Sequence, residues 1–300
     1  MFDLRYHVAS LAAVFLALII GILVGVGISS GGFVSKSERS LLNARVAKLE
    51  SRLDAATRRA GELDRTQRAA ETFIEDTYPA LMQDRLRGRR IALVFVGSVN
   101  PRLRSLVERT LEDAGAPGLL RARAMKVPID VRALDKALAA RPALTRYIGD
   151  AKLDDLGRRL AQEFVAGGES PLWRAVSSQL VEERSGSDKR PADAVVVVRS
   201  VAPQQAQTAR FLAGFYAGLS SSGAPAVGVE ESVSAIPSAV AAFAKADISS
   251  VDDIDAAAGR LALAQLLGGA QPGHYGSKST AKDGMLPPVE PPQPSAQTSG

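Results

Sequence analysis

Residues 89–97 read RRIALVFVG. Six apolar residues run without interruption from a basic pair into a glycine. A run so short and so evenly apolar marks a strand buried on both faces, as in a parallel sheet covered by helices. The residues that follow extend the pattern. Asn100-Pro101 starts a helix that carries Leu103, Leu106, Val107 and Leu111 on one face, and Ala114-Gly115-Ala116 ends it. Residues 119–127 then alternate through Leu120, Ala122 and Ala124 as a second strand, completing one strand–helix–strand unit.

A second unit lies further along. Residues 192–198 contain Val195-Val196-Val197-Val198, the most strand-like run of the chain. A helix over 204–219 follows, with Leu212, Phe215 and Leu219 on its apolar face, and 225–229 forms a fourth short strand. The intervening 133–185 reads mainly helical, with an amphipathic stretch over 153–165 and a helix begun by Pro171; 185–190 reads as a polar loop. After the second unit, 235–244 is helical. A last helix over 252–267 is capped by Ser249 or Ser250 and carries Asp252, Asp253 and Asp255 in its first turn. The expectation is an α/β domain over 88–270, a parallel sheet of two strand–helix–strand halves.

Upstream the period changes twice. Residues 8–28 read VASLAAVFLALIIGILVGVGI, 21 residues with one hydroxyl and no charge. As an α-helix this spans roughly 31 Å, about one bilayer core. It predicts a transmembrane helix behind a short N-terminus, 1–7. The run is longer than a signal peptide's apolar region, although small residues at Gly27, Ser29 and Ser30 leave a cleavage site conceivable. Ala9, Ala13, Ala17, Gly21 and Gly25 recur every fourth position, a pairing face along which two membrane helices can approach closely. Common small residues in a span could also produce such a ladder by chance.

Residues 36–78 follow a heptad. Leu42, Leu49, Ala56, Leu63 and Ala70 take one seam position and Val46, Leu53, Ala60, Gln67 and Ile74 the other. The spacing alternates four and three without a slip and predicts a coiled-coil neck of roughly 50 Å, broken at Pro79. A helix lying on its own domain is the alternative. Past Gly268 the composition turns to Pro, Gly, Ser, Thr and Gln, and 271–300 reads as a disordered tail with a polyproline tendency.

Charge and composition bound the partners. The net charge is +5, and residues 36–90 hold 13 Lys/Arg against 9 Asp/Glu, so nearly all the excess is next to the membrane. Acidic headgroups or anionic envelope polymers fit that balance. Interleaved acids without aromatic partners argue against nucleic acid. The chain has no cysteine, which excludes disulfides and thiolate sites. Loop charges, read literally, favour the C-terminal side inside, a rule that weakens before a long domain.

No chemistry stands out. Residues 276–280, GSKST, imitate a phosphate loop, but a serine separates glycine from lysine and a helix precedes them. Gly97-Ser98-Val99-Asn100 lies at a strand's carboxyl end, where α/β sheets hold ligands, without a dinucleotide fingerprint. Capping and solvation account for Asp252, Asp253, Asp255, Glu230 and Glu231. The histidines, His7 and His274, fall outside the expected domain, so no Ser–His–Asp triad is expected. The expectation is a protein that is not an enzyme, with no evident cofactor, and a homodimer or higher homo-oligomer.

The amino terminus adds a resemblance. Phe2-Asp3-Leu4-Arg5-Tyr6-His7-Val8-Ala9-Ser10-Leu11 through Leu18, followed by Gly21, resembles the opening of the actinobacterial copper transporter family of MctB-like proteins. Gly88-Arg89-Arg90-Ile91, Ala114-Gly115-Ala116, Ser249-Ser250-Val251-Asp252-Asp253-Ile254-Asp255 and Gly273-His274-Tyr275-Gly276 match in similar places, so it covers about residues 1–285. The resemblance implies one span, a coiled-coil neck, an α/β domain outside the cytoplasmic membrane, and a role in copper homeostasis or efflux. No metal-binding residue is carried over. Copper(I) prefers thiolate, thioether and imidazole, and beyond Met1 the methionines are the scattered Met82, Met125 and Met285. A non-catalytic envelope scaffold binding a wall or division partner is the other function the residues allow.

Overall fold

A computed structural model describes residues 4–30 and 36–288, with side chains for 10–25 and 40–288. The chain divides into two compact units, residues 1–68 and 69–300.

The first unit is helical. α1 spans Leu4–Ser30 and α2 begins at Lys36, continuing to Met82. Every described side chain of α1 is exposed, including Leu11, Phe15, Ile19 and Leu23. Among the described residues no helix is long and apolar enough to cross a membrane. The described side chains of α1 cover only 10–25, about 24 Å of helix. The expected span over 8–28 therefore extends beyond them at both ends.

The second unit takes in the last turns of α2 and the α/β domain. Its elements run β1 (Ile91–Val96), α3 (Pro101–Asp113), β2 (Leu119–Met125), α4 (Val131–Ala139), two short 3-10 turns, α5 (Leu153–Ala166), α6 (Pro171–Leu180), β3 (Val181–Gly186), β4 (Ala194–Arg199), α7 (Ala206–Ser220), β5 (Ala226–Val229), α8 (Val240–Lys245), β6 (Ser249–Val251), α9 (Ala257–Leu267) and β7 (His274–Tyr275). They build one sheet of order β3-β2-β1-β4-β5-β6-β7, parallel except for β3. β1 sits centrally, with β2 and β4 on either side in register Val94↔Arg123 and Val94↔Val197.

Alternation within each strand makes two cores. Ala92, Val94, Val96, Val195 and Val197 face α4–α8, whereas Leu93, Phe95, Val196 and Val198 face α3, α9 and the end of α2. This three-layer arrangement follows from the central strands β1 and β4, which are apolar along nearly their whole length. Small residues bring α5 and α7 together. A Cβ on Gly157 would meet the Phe211 carbonyl oxygen at 2.2 Å, and one on Gly214 the Asp154 carbonyl oxygen at 2.1 Å. At the amino ends of the strands, Arg90 Nε and Nη2 donate to the Asp193 carboxylate at 2.9 and 2.6 Å, and this pairing holds the carboxyl below its usual pKa.

Both strand–helix–strand halves are present, and five departures from the sequence expectation have physical reasons. α2 passes through Pro79 to Met82. The proline removes one donor, and the carbonyl it would have met belongs to exposed Glu75. β3 replaces expected helix and loop. Its VEERSG lacks apolar alternation because it is an edge strand whose charges guard an open ladder. It also makes the sheet mixed at one edge, not purely parallel. The helix expected over 235–244 shortens to Val240–Lys245, since Pro237 interrupts its start and the Glu230 carboxylate takes the Ala239 amide. α9 begins at Ala257 because Ser249–Val251 pairs as β6 with Val227–Val229. Residues 271–288, expected to be disordered, add β7 to the sheet and bury Tyr275. Residues 289–300 lie outside the described residues.

Candidate functional site

The order in which strands are added reverses between the parallel neighbours β1 and β4, and in open α/β sheets ligands bind at the carboxyl ends beside such a switch point. Three separate sequence candidates converge on this rim: 97–100 after β1, the acids Glu230 and Glu231 after β5 with Asp252, Asp253 and Asp255 after β6, and 276–280 after β7. Arg199 at the end of β4 and Ser200 after it, not singled out by sequence, complete it.

Gly97 turns the chain at φ 101°, where a Cβ would sit 2.6 Å from Val201 Cγ1. Asn100 caps α3, its Oδ1 accepting from the Arg102 and Leu103 amides at 3.0 and 3.1 Å. Arg102 Nε then pairs with Glu231 at 2.6 Å. Asp252 fastens the last loop to the rim. Its Oδ1 accepts from the Ser277 and Lys278 amides at 3.1 and 3.2 Å, and its Oδ2 from the Thr280 hydroxyl at 2.6 Å. Lys278 Nζ lies 3.5 Å from Glu230 Oε2. The acids are thus not a solvated helix cap. Asp252 and Asp253 are 1% and 2% exposed. The phosphate-loop look-alike is a strap whose amides are spent on a carboxylate of its own chain.

Electrostatics differ along the acidic run. Burial, then the neighbouring Asp252, pushes Asp253 up to about 6, and its Oδ1 is buried without a hydrogen bond. Burial also opposes the charge of Asp255, but the Ser232 hydroxyl and amide outweigh it and hold that carboxyl low. Beside them Arg199 Nε and Ser200 Oγ are buried without partners, and Arg199 Nη2 donates to the Pro237 carbonyl. Burial pushes the Tyr216 phenol up to about 12, a shift that Arg199 opposes. The space left between Asn100, Arg199, Glu230, Glu231 and Ser234 is about 40 Å³. That holds about one water and no organic substrate.

His274 lies inside the domain, contrary to expectation, with Nδ1 2.9 Å from Ser250 Oγ. Ser250 is 1% exposed within β6, so the pair ties strands together and offers no reachable nucleophile. Among the described residues no group of three or more His, Asp or Glu is placed to hold a metal ion. Met82 and Met125 are fully buried on opposite faces of the sheet, and Met285 is on the surface.

The expected pairing residues occupy the helices. Gly21 and Gly25 are open on α1, where an added Cβ would meet nothing within 4 Å; Ala13 and Ala17 are exposed there, and the Ala9 side chain lies outside those described. On α2 the seam residues Leu42, Val46, Leu49, Leu53 and Leu63 are 51–71% exposed. Ala56, Ala60 and Ala70 are exposed too, and Ile74 is half-buried; Gln67 completes the seam.

Fold and rim define a class: a mostly parallel α/β domain whose ligand edge is closed by its own loops, preceded in the chain by two long helices. The family follows from comparison. Residues 1–286 match the family described as "Copper transport outer membrane protein, MctB", and the chain belongs to it. The proteins named "Copper transporter MctB" of Mycobacterium tuberculosis (strain ATCC 25618 / H37Rv) and Mycobacterium bovis (strain ATCC BAA-935 / AF2122/97) are 26% identical to it over 308 residues, covering 92% of this chain and 96% of theirs.

Proposed function

We propose that this chain is a single-span envelope protein acting in copper homeostasis or efflux. In this reading α1 anchors it, α2 pairs with a second copy, and the α/β domain lies outside the cytoplasmic membrane. The family match over 1–286 carries the copper assignment, because it takes in both helices and the whole domain together. The anchor is supported by the uncharged run 8–28 and by the exposed apolar side chains of α1. An open sheet has unpaired edges that lipid does not tolerate, so insertion falls to the helix. Copper is cargo here, not a resident cofactor.

Deleting the gene in its host and measuring copper content and copper sensitivity tests the role. The expected result is a change in both, reversed by the full chain; wild-type values in both refute it. A topology reporter fused after residue 270 should be active only outside the cytoplasm, and activity inside refutes the orientation.

The closed rim supports a second reading, a non-catalytic scaffold whose domain binds an envelope protein. With about 40 Å³ at the strand ends, recognition would use the surface of the rim and not a substrate cavity. Photocrosslinking in cells from Ser234, on the rim, should then trap a defined envelope protein; its absence counts against the scaffold.

A further inference from the structure

A cavity of about 520 Å³ lies at the β3 edge of the sheet, away from the rim. Its size suits a small organic ligand. Phe164 and Trp173 back it from the core, 2% and 8% exposed, with ring centroids 6.0 Å apart and planes tilted by 51°. Trp173 Nε1 donates to the Leu160 carbonyl at 2.7 Å, which fixes the indole. Glu163 Oε2 accepts from the Leu172 and Trp173 amides at 3.1 and 3.3 Å, so the start of α6 is already neutralised from within.

The charges around the cavity sort into spent and free. Arg123 donates to the Ala122 and Ser185 carbonyls and to both oxygens of Asp188, so that pair cancels. Arg141 points two donors at the Pro171 and Arg174 carbonyls. The exposed side chains of Arg174 and Arg184 line the cavity and make no hydrogen bond or salt bridge among the described residues, Arg174 acting on the Glu163 carboxyl only through space. Four lining arginines stand against Glu163, whose Oε1 makes no hydrogen bond, Glu169 and Asp188, a surplus of one cation. The Ser170 and Ser177 hydroxyls also line the cavity and make no hydrogen bond there.

We propose that this cavity binds a small acidic carbohydrate, its carboxylate or phosphate on Arg174 and Arg184 and its hydroxyls on Ser170 and Ser177, beside the one exposed edge of Trp173. Guanidinium groups recognise both oxyanions through paired N–H donors. A space of about 520 Å³ with hydroxyl-bearing side chains in its lining suits a sugar ring better than a bare ion. The assignment does not depend on the copper role.

Calorimetric titration of the full chain in detergent tests it, with trigalacturonate and glucose 1-phosphate as probes, and cellotriose and inorganic phosphate as controls. At least one acidic sugar should bind with Kd below about 1 mM, at least tenfold tighter than either control; which one binds identifies the anionic group. The exposed double substitution Arg174→Glu/Arg184→Glu should weaken it at least tenfold. Ser170→Ala/Ser177→Ala should weaken the sugar while leaving inorganic phosphate unchanged. Absence of binding by both acidic sugars at 10-fold above that Kd, equal binding of a control, or unaltered affinity in either double variant overturns the proposal.

Discussion

Pairing along α2 can be tested by Leu49→Asp/Leu53→Asp. These two leucines occupy adjacent seam layers and are about two-thirds exposed in the single chain. Fully burying a leucine is worth about 1.5–3 kcal/mol, so covering the exposed part gives about 1–2 kcal/mol for each. A pair of helices loses four such side chains, about 4–8 kcal/mol, before the cost of burying charge. Each 1.4 kcal/mol is tenfold in an equilibrium constant, so association should fall by about a thousandfold or more. The chain has no cysteine, which makes a single introduced thiol a clean reporter. Ala56→Cys, on the seam, should form an interchain disulfide in membranes under mild oxidation. Arg58→Cys, on the outer face of the same heptad, should not. Adding the two aspartates should abolish the Ala56→Cys product. Equal crosslinking at 56 and 58, or crosslinking that survives the aspartates, would refute a paired neck and leave α2 as an unpaired stalk.

Other outcomes concern the α/β domain. Gly214→Ala places a methyl 2.1 Å from the Asp154 carbonyl oxygen, and overpacking of this kind costs about 1–3 kcal/mol; calorimetry should find Tm lowered by roughly 2–10 °C, and an unchanged Tm would show that α5 and α7 separate freely. Asp252→Ala deletes the acceptor for three donors of 277–280, so trypsin should cut after Lys278 faster than in the unsubstituted protein; equal rates would mean that β7 alone holds the strap. Asp253 titrates near 6 when folded and near 3.9 when unfolded. Its raised value means that the folded state binds the extra proton, so stability from this group is full below about pH 4 and is lost as pH rises through 6. Asp253→Asn should accordingly raise Tm at pH 8 more than at pH 4; the reverse order would contradict the burial argument.

What sequence revealed and what it hid divide along physical lines. β1 and β4 were legible because burial on both faces leaves a run of apolar residues that nothing else in a soluble domain requires. Asn100-Pro101 was legible because capping is local. β3 was not, since an edge strand selects for charge and its six residues look like loop. β6 was hidden by chemistry that mimics a cap: Ser249-Ser250 before three aspartates is what a helix start would show, and only pairing with β5 decides otherwise. The rim's components were each visible, but their convergence was not. Asp252 and Ser277 are 25 residues apart and meet at 3.1 Å because β6 and β7 lie side by side. A glycine that looked like part of a phosphate loop, Gly276, is small because Asp252 Oδ1 occupies the place of its Cβ, 2.0 Å away.

The donor inventory constrains how such a chain can serve copper. Soft copper(I) sites need thiolates, thioethers or imidazoles within about one coordination sphere. Met82 and Met125 lie in separate cores with a sheet between them, and neither reaches solvent. Bringing them to one ion would require dismantling both hydrophobic layers, each the main source of the domain's stability. His274 is engaged with Ser250, and the rim's carboxylates other than buried Asp253 are bonded to amides, hydroxyls and cations of the same chain. The described domain is therefore organised to stay shut around its own polar groups. For the proposed copper role, seam substitutions that leave the domain folded are therefore the sharper test: loss of copper tolerance in Leu49→Asp/Leu53→Asp with an unchanged domain Tm would place the function in assembly, whereas retained tolerance in an unpaired protein would place it in the domain surface.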